Sequence, residues 1–356
     1  MLVTASFSSR SPVKQLPVTH PDCVATKEEL KKIIAFWTNM GVDAFRVDMA
    51  SSVIKGDFDF SFLKDFWHEI REFIEGINPQ CLLIAEWGAP SDAINTGFHL
   101  DFMLHFGPVA YRSLFRAEKG RCTSSEYVGH SYFSKEGKGN INDFLDRYLY
   151  DLKRIGKKGY IGLITGNHDM PRLAYQRTIE EIKVAMVFLF TMPGVPFVYY
   201  GDEIGMDFIE NLPSKEGGYI RTGARTPMQW NNEKNHGFST SDSPYLPTDS
   251  RKDAPTVSAQ ENDPNSLLSF TKKLITLRKN NDVFSPFAEL NIIVPSYPFV
   301  FERTLGDKKV LVALNPTKER RYYELQGVKS ILLSQNVEIN DNMAIMDAVS
   351  FFICKV

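Results

Sequence analysis

The chain has 356 residues, with 41 Lys plus Arg against 43 Asp plus Glu. That length is enough for one large domain and a small one around a sizeable core. The near-balanced charge, with no basic run interleaved with aromatics, argues against nucleic acid or a membrane surface as partner.

In chain order, Thr26 is expected to cap a helix, with Glu29 as the reciprocal member of a capping box. Leu30, Ile33, Ile34 and Trp37 follow at helical spacing, and Gly41 stops the helix. Residues 44–48 read as a buried strand. Phe45 and Val47 suit it, and Arg46 and Asp48 share its other face. Phe62, Phe66, Ile70, Phe73, Ile74 and Ile77 mark a second amphipathic helix, closed by Asn78-Pro79. The run Cys81-Leu-Leu-Ile-Ala-Glu86 is continuous and apolar, as in a strand buried on both faces. Residues 98–106 read as a strand, 144–155 as a helix, and 160–165 as a strand leading into Gly166-Asn-His-Asp169. Residues 179–190 read as a helix and 195–200 as a strand running into Gly201-Asp-Glu203.

Repeated strand, polar loop and helix indicate an α/β fold with a parallel sheet and right-handed crossovers. Asp48, Glu86, Asp169 and Glu203 all fall at strand C-terminal ends, where a barrel's active face lies. A doubly wound open sheet is the alternative, but it would normally carry a Gly-rich phosphate loop after its first strand, and none is present. Residues 207–263 are polar and aperiodic, as in an active-site or surface excursion. Leu267, Phe270, Leu274, Ile275 and Leu277 form a further helix. From residue 283 the pattern changes to short strands at 290–294, 299–304, 310–314, 321–325, 330–333 and 350–356. The expected domains are therefore residues 1–282 and a small antiparallel β domain over 283–356.

Cys23, Cys81, Cys122 and Cys354 have no paired spacing, so no zinc or redox motif is present. The lack of a disulfide framework favours a reducing, cytoplasmic setting. The first eleven residues lack a charged segment followed by an apolar one, unlike a signal peptide. The longest apolar stretch, 184–200, is interrupted by Pro193-Gly194 and Pro196 and is too short for a membrane span.

Arg46 and Asp48 on a buried strand are costly unless they do chemistry, the bland alternative being a structural ion pair. Asp48 and Glu86 end successive strands, which lie about 4.8 Å apart. Carboxyl groups at matching heights would approach the roughly 5 Å separation of a retaining glycosidase. Arg46 would keep Asp48 ionised, and the apolar run before Glu86 would hold that carboxyl protonated, as a general acid requires. Glu86 could equally cap a loop. Asn167-His168-Asp169 could clamp vicinal sugar hydroxyls, or form an Asn/Asp turn. Arg172 is open to three readings: a support, a substrate contact, or an exposed side chain.

Four motifs in order carry a family resemblance: Gly41-Val-Asp-Ala-Phe-Arg-Val-Asp48, Ile84-Ala-Glu-Trp87, Gly166-Asn-His-Asp169 and Gly194-Val-Pro-Phe-Val-Tyr-Tyr-Gly-Asp-Glu203. The chain resembles the α-amylase family of glycoside hydrolases over nearly its whole length. Arg225-Thr-Pro-Met-Gln-Trp230 and Gly237-Phe-Ser239 narrow the likeness to the branch of α-glucosidases, oligo-1,6-glucosidases and trehalose synthases. The resemblance implies a (β/α)₈ TIM barrel followed by a β-sandwich. It makes Asp48 the nucleophile, Glu86 the general acid/base and Asp169 the transition-state stabiliser. Arg46 would orient the nucleophile and His168 would contact the sugar at the cleavage subsite; Asn167 and Arg172 complete the expected substrate-binding set. The implied substrate is an α-glucan or a malto- or isomalto-oligosaccharide. No cofactor or metal is required, although many members of the full fold bind calcium.

The resemblance begins at the family's fourth barrel strand, so residues 1–282 correspond to the fourth to eighth strands. No Asp-x-x-x-Asn-His segment precedes Lys27, and Val24 in Pro21-Asp-Cys-Val24 replaces an expected Asn. The preserved carboxylates point to truncation of a working enzyme, ahead of a fragment that pairs with another chain or a decayed remnant. Three functions remain open: hydrolysis, transglycosylation or isomerisation at the same site, and sugar or partner binding without turnover. Oligomeric state is not legible.

Overall fold

A computed structural model describes residues 19–104, 110–118, 129–215 and 219–356. The first eleven residues, Cys122 and positions 105–106 of the expected strand lie outside the described residues. The helices are α1 (Pro21–Asn39), α2 (Ser61–Ile77), α3 (Pro90–Asn95), α4 (Arg112–Phe115), α5 (Asn142–Ile155), α6 (Ile179–Thr191), α7 (Val257–Gln260) and α8 (Leu267–Asn280). The strands are β1 (Ala44–Val47), β2 (Leu82–Ala85), β3 (Leu100–Phe102), β4 (Tyr160–Ile164), β5 (Val195–Phe197), β6 (Glu289–Pro295), β7 (Phe299–Leu305), β8 (Lys308–Asn315), β9 (Arg321–Glu324), β10 (Ser330–Asn340) and β11 (Met343–Lys355). No helix among the described residues is long and apolar enough to cross a membrane.

The chain forms two compact units, Met1–Met103 with Asp151–Ile161, and Leu104–Tyr150 with Gly162–Val356. The first unit holds β1, β2 and β3 as parallel neighbours. Tyr160, at the start of β4, donates its N–H to the His99 carbonyl. Helix α2 buries Leu63, Trp67, Ile70 and Ile74, a single stripe at helical spacing. The Trp67 indole donates to the Ala50 carbonyl, and its ring meets Phe98 edge-on.

Three local expectations are corrected here. Helix α1 starts at Pro21 with His20 as its cap, and Thr26 sits inside it, its hydroxyl bonded to the Asp22 carbonyl. Pro21 suits the first helical position because its fixed φ is helical and its missing N–H would have had no partner. Strand β1 is half-buried along its length, not buried, since among the described residues it pairs only with β2. Strand β2 buries one face, Leu83 and Ala85, while Leu82 is 39% exposed.

In the second unit the rest of β4 pairs in parallel with β5. Thr178 caps α6 in a reciprocal box with Glu181. Helix α6 is apolar nearly all round, and Phe188 packs against Phe133, Phe144 and Phe299. Its C-terminal carbonyls are taken by two arginines. Arg278 binds those of Phe190 and Met192, and Arg303, fully buried, binds that of Thr191.

The antiparallel region follows the short turn Asp282–Phe284, in the order β10-β11-β8-β7-β6 with β9 also on β11. Strand β11 pairs with β9 through Met343–Met346 and with β8 through Ser350–Lys355. Val349 between those stretches has φ 49°. Val300, Leu311, Ala313, Leu325, Ala344, Met346 and Phe352 form the core of that sheet. Strands β10 and β11 are longer than expected, because Val337 and Ile339 continue the alternation onto the same core. The α/β part followed by an antiparallel β region matches the expected fold class.

Candidate active site

In the first unit, β1 and β2 lie in register, so Arg46 stands opposite Ile84 and Val47 opposite Ala85. Their ends are knitted together. The Glu86 N–H donates to the Val47 carbonyl, and the Ala50 N–H donates to the Glu86 carbonyl. Met49, directly after Asp48, takes a left-handed backbone with φ 47°, a strained conformation for a non-glycine residue. That turn points its N–H at Glu86 Oε2, 3.3 Å away.

One guanidinium joins the two carboxyl groups. Arg46 Nη1 lies 2.5 Å from Asp48 Oδ1, and Nη2 lies 2.6 Å from Glu86 Oε1. The two groups differ in environment, the Glu86 side chain being 6% exposed and that of Asp48 39%. Burial pushes the Glu86 carboxyl from its usual 4.5 up to about 7. The Arg46 charge pulls it down, while a hydrogen bond to Asp48 and the charge of Asp48 push it up. Burial outweighs the single arginine. A protonated Glu86 beside a more exposed Asp48 is a donor next to an acceptor, as acid and nucleophile must be.

A residue not singled out in the sequence supports this arrangement. Asp101 on β3, paired with Ala85, is wholly buried. Its Oδ1 and Oδ2 accept the N–H groups of Trp87 and Ala89, both at 2.9 Å. Burial pushes its carboxyl up to about 7, and the N–H groups of Trp87, Gly88, Phe102 and Ala89 pull it back down.

In the second unit, the segment after β4 carries Asn167, His168 and Asp169. The Asn167 side chain accepts the Asp169 N–H at 2.8 Å, so Asn167 shapes the turn. His168 is half-exposed, with Nε2 3.4 Å from Asp169 Oδ2. Arg221 and Arg225 both reach Asp169 Oδ1, at 2.8 and 2.9 Å. Arg225 also binds the His168 carbonyl. Arg116, buried at the end of α4, ties the two ends of the segment together by binding the carbonyls of Thr165 and Pro171. Gly166 lets this happen, since a Cβ there would lie 3.1 Å from both Arg116 and Asp202.

Arg172 is not exposed. Its side chain is fully buried, 3.7 Å from Asp202, with the guanidinium over the rings of Tyr199 and Tyr200. It also donates to the Tyr200 carbonyl. These contacts are those of a support. Glu203 too is drawn inward, and burial raises its carboxyl.

Arg221, Arg225, Arg116 and Asp101 were not in the sequence-derived set. Only Arg225 carried a signal, as the head of the Arg225-Thr-Pro-Met-Gln-Trp230 run. The described residues gather no group of three His, Cys, Asp or Glu that fits calcium.

A model of the α-amylase catalytic domain matches residues 8–286. An oligo-1,6-glucosidase of Parageobacillus thermoglucosidasius is 26% identical, covering 88% of this chain and 65% of that protein. The amino acid transporter heavy chain SLC3A1 of Mus musculus is 27% identical, covering 86% of this chain and 47% of its own. The chain thus spans about half to two thirds of the length of these relatives. The crystal structure of isomaltulose synthase from Erwinia rhapontici NX5 superimposes with a TM-score of 0.76 at 19% identity, covering 94% of this chain and 68% of that one.

Proposed function

This chain belongs to the α-amylase family, and on that premise we propose that it is a retaining α-glycosidase that hydrolyses α-glucosidic bonds in oligosaccharides. The observation that carries this reading is the Arg46 bridge, with buried Glu86 held as an acid beside Asp48. One guanidinium spanning both carboxyls is compatible with the roughly 5 Å separation of retaining enzymes.

In the first step Asp48 Oδ attacks the anomeric carbon while Glu86 gives its proton to the glycosidic oxygen. The bond to the departing sugar breaks and a β-glucosyl ester forms on Asp48. In the second step the Glu86 carboxylate takes a proton from water, the water oxygen attacks the same carbon, and Asp48 leaves. Asp169 takes the role of transition-state stabiliser, with Arg221 and Arg225 fixing its carboxylate. The relative of similar sequence named an oligo-1,6-glucosidase supports an α-glucoside as substrate.

The test is proton NMR of products from maltose and isomaltose, with Asp48→Asn as the control. Glucose appearing first as the α-anomer supports the reading, and the β-anomer refutes it. New disaccharides in place of glucose would mean that a sugar hydroxyl captures the intermediate. Equal background rates for both proteins would assign this chain to binding without turnover.

A further inference from the structure

We infer that Asp101 is a positioning residue for the general acid, a role that rests on the proposed reading of Glu86. Glu86 is the last residue before a tight turn, Trp87-Gly88-Ala89, in which Gly88 has φ 79°. On one side its backbone is fastened to β1 through Val47 and Ala50. On the other side the Asp101 carboxyl grips the turn backbone at two points, while the Trp87 ring meets Phe60 edge-on. The turn folds successive N–H groups around one buried carboxyl, a small nest. A neutral amide at position 101 would present N–H to N–H at one of those points and leave a buried donor unpaired. The turn would then move, and Glu86 would move with it. Among the described residues the groups facing the Glu86 carboxyl are Arg46, Asp48 and the Met49 N–H on the β1 side, and Asp101 acts from the β3 side through the turn.

A support that only stabilised the fold would slow all substrates alike. A support for the proton donor is felt only where the leaving group needs a proton. The experiment compares kcat/KM of Asp101→Asn and wild type on 4-nitrophenyl α-glucoside, whose phenolate departs unaided, and on maltose, whose leaving alcohol does not. Since a general acid contributes roughly 10²- to 10⁴-fold, the loss on maltose should exceed that on the aryl glucoside by about tenfold or more. Equal losses overturn the inference. Should Asp101→Asn fail to fold, Gly88→Ala disturbs the same turn with the carboxylate in place, and the same selectivity is expected. If wild type turns over neither substrate, the hydrolase reading alone has failed. The positioning claim is then decided by ¹³C NMR titration of Glu86. A looser turn admits water and removes desolvation, so the midpoint should fall in either variant, and an unchanged midpoint refutes the claim.

Discussion

Glu86→Gln should stabilise the protein at alkaline pH while abolishing general acid catalysis. Glutamine mimics the protonated side chain that the burial favours. In the folded chain the Glu86 carboxyl holds its proton up to about 7, against 4.5 when unperturbed. Between those values the folded state binds more protons than the unfolded state, so stability falls as pH rises through the window. Glu86 is only 5% exposed, so solvent screening removes little of this effect. From about pH 5 to about pH 8 the loss comes to about 2.5 kcal/mol. The variant lacks this contribution. Urea denaturation of both proteins at the two pH values should show Glu86→Gln gaining on wild type by roughly 2 to 3 kcal/mol at the higher one. Other buried carboxyls with raised values, Asp101, Asp202 and Glu203, contribute equally to both proteins and drop out of the difference. Stability curves that run parallel across pH would show that Glu86 is not held as an acid. The acid role assigned to it would fall with that result.

Asp48→Asn should lower kcat on any turned-over α-glucoside by on the order of 10³-fold or more, read by glucose release, because no ester can form. Arg225→Ala leaves Asp169 Oδ1 with one of its two guanidiniums. A charge-assisted bond of about 1.5–3 kcal/mol predicts a roughly tenfold or greater fall in kcat/KM on maltose, with an unchanged circular dichroism spectrum. Arg172→Ala removes one of the two arginines whose charge acts on buried Asp202, Arg116 being the other, and leaves the Tyr200 carbonyl without its guanidinium donor. The expected cost is about 1–3 kcal/mol, measured as a lowered urea midpoint, and a variant as stable as wild type would refute the supporting role.

The sequence made one side of this site legible and hid the other. Strand ends were visible because apolar runs stop at acids, and Asp48 and Glu86 stand where those runs stop. The apolar run Leu82, Leu83, Ile84 and Ala85 before Glu86 signalled a raised carboxyl, but the sequence paired Arg46 with Asp48 alone and gave no sign that the same guanidinium reaches Glu86. What could not be read was burial itself, as β1 shows. Phe45 and Val47 suit a fully covered strand, yet coverage depends on what pairs with the strand, and β2 is its only partner among the described residues. The same limit explains Arg172, whose charge gave no hint that two tyrosines and Asp202 enclose it.

Asp101 and Arg116 share a further reason for being hidden: both act on backbone groups. Asp101 binds N–H groups of Trp87 and Ala89, and Arg116 binds carbonyls of Thr165 and Pro171. Every residue but proline offers a backbone donor and acceptor, so neither side-chain pattern nor spacing marks which of them a buried charge will meet. Such residues are nonetheless constrained. A buried charge tolerates few replacements unless its partners move as well. The segments they hold follow β2 and β4, and these are the segments that begin at Glu86 and carry Asp169. Side chains placed for chemistry are therefore held by others that no motif names. In this chain the strand supplies the direction of the acid, and the turn clasped by Asp101 supplies its position.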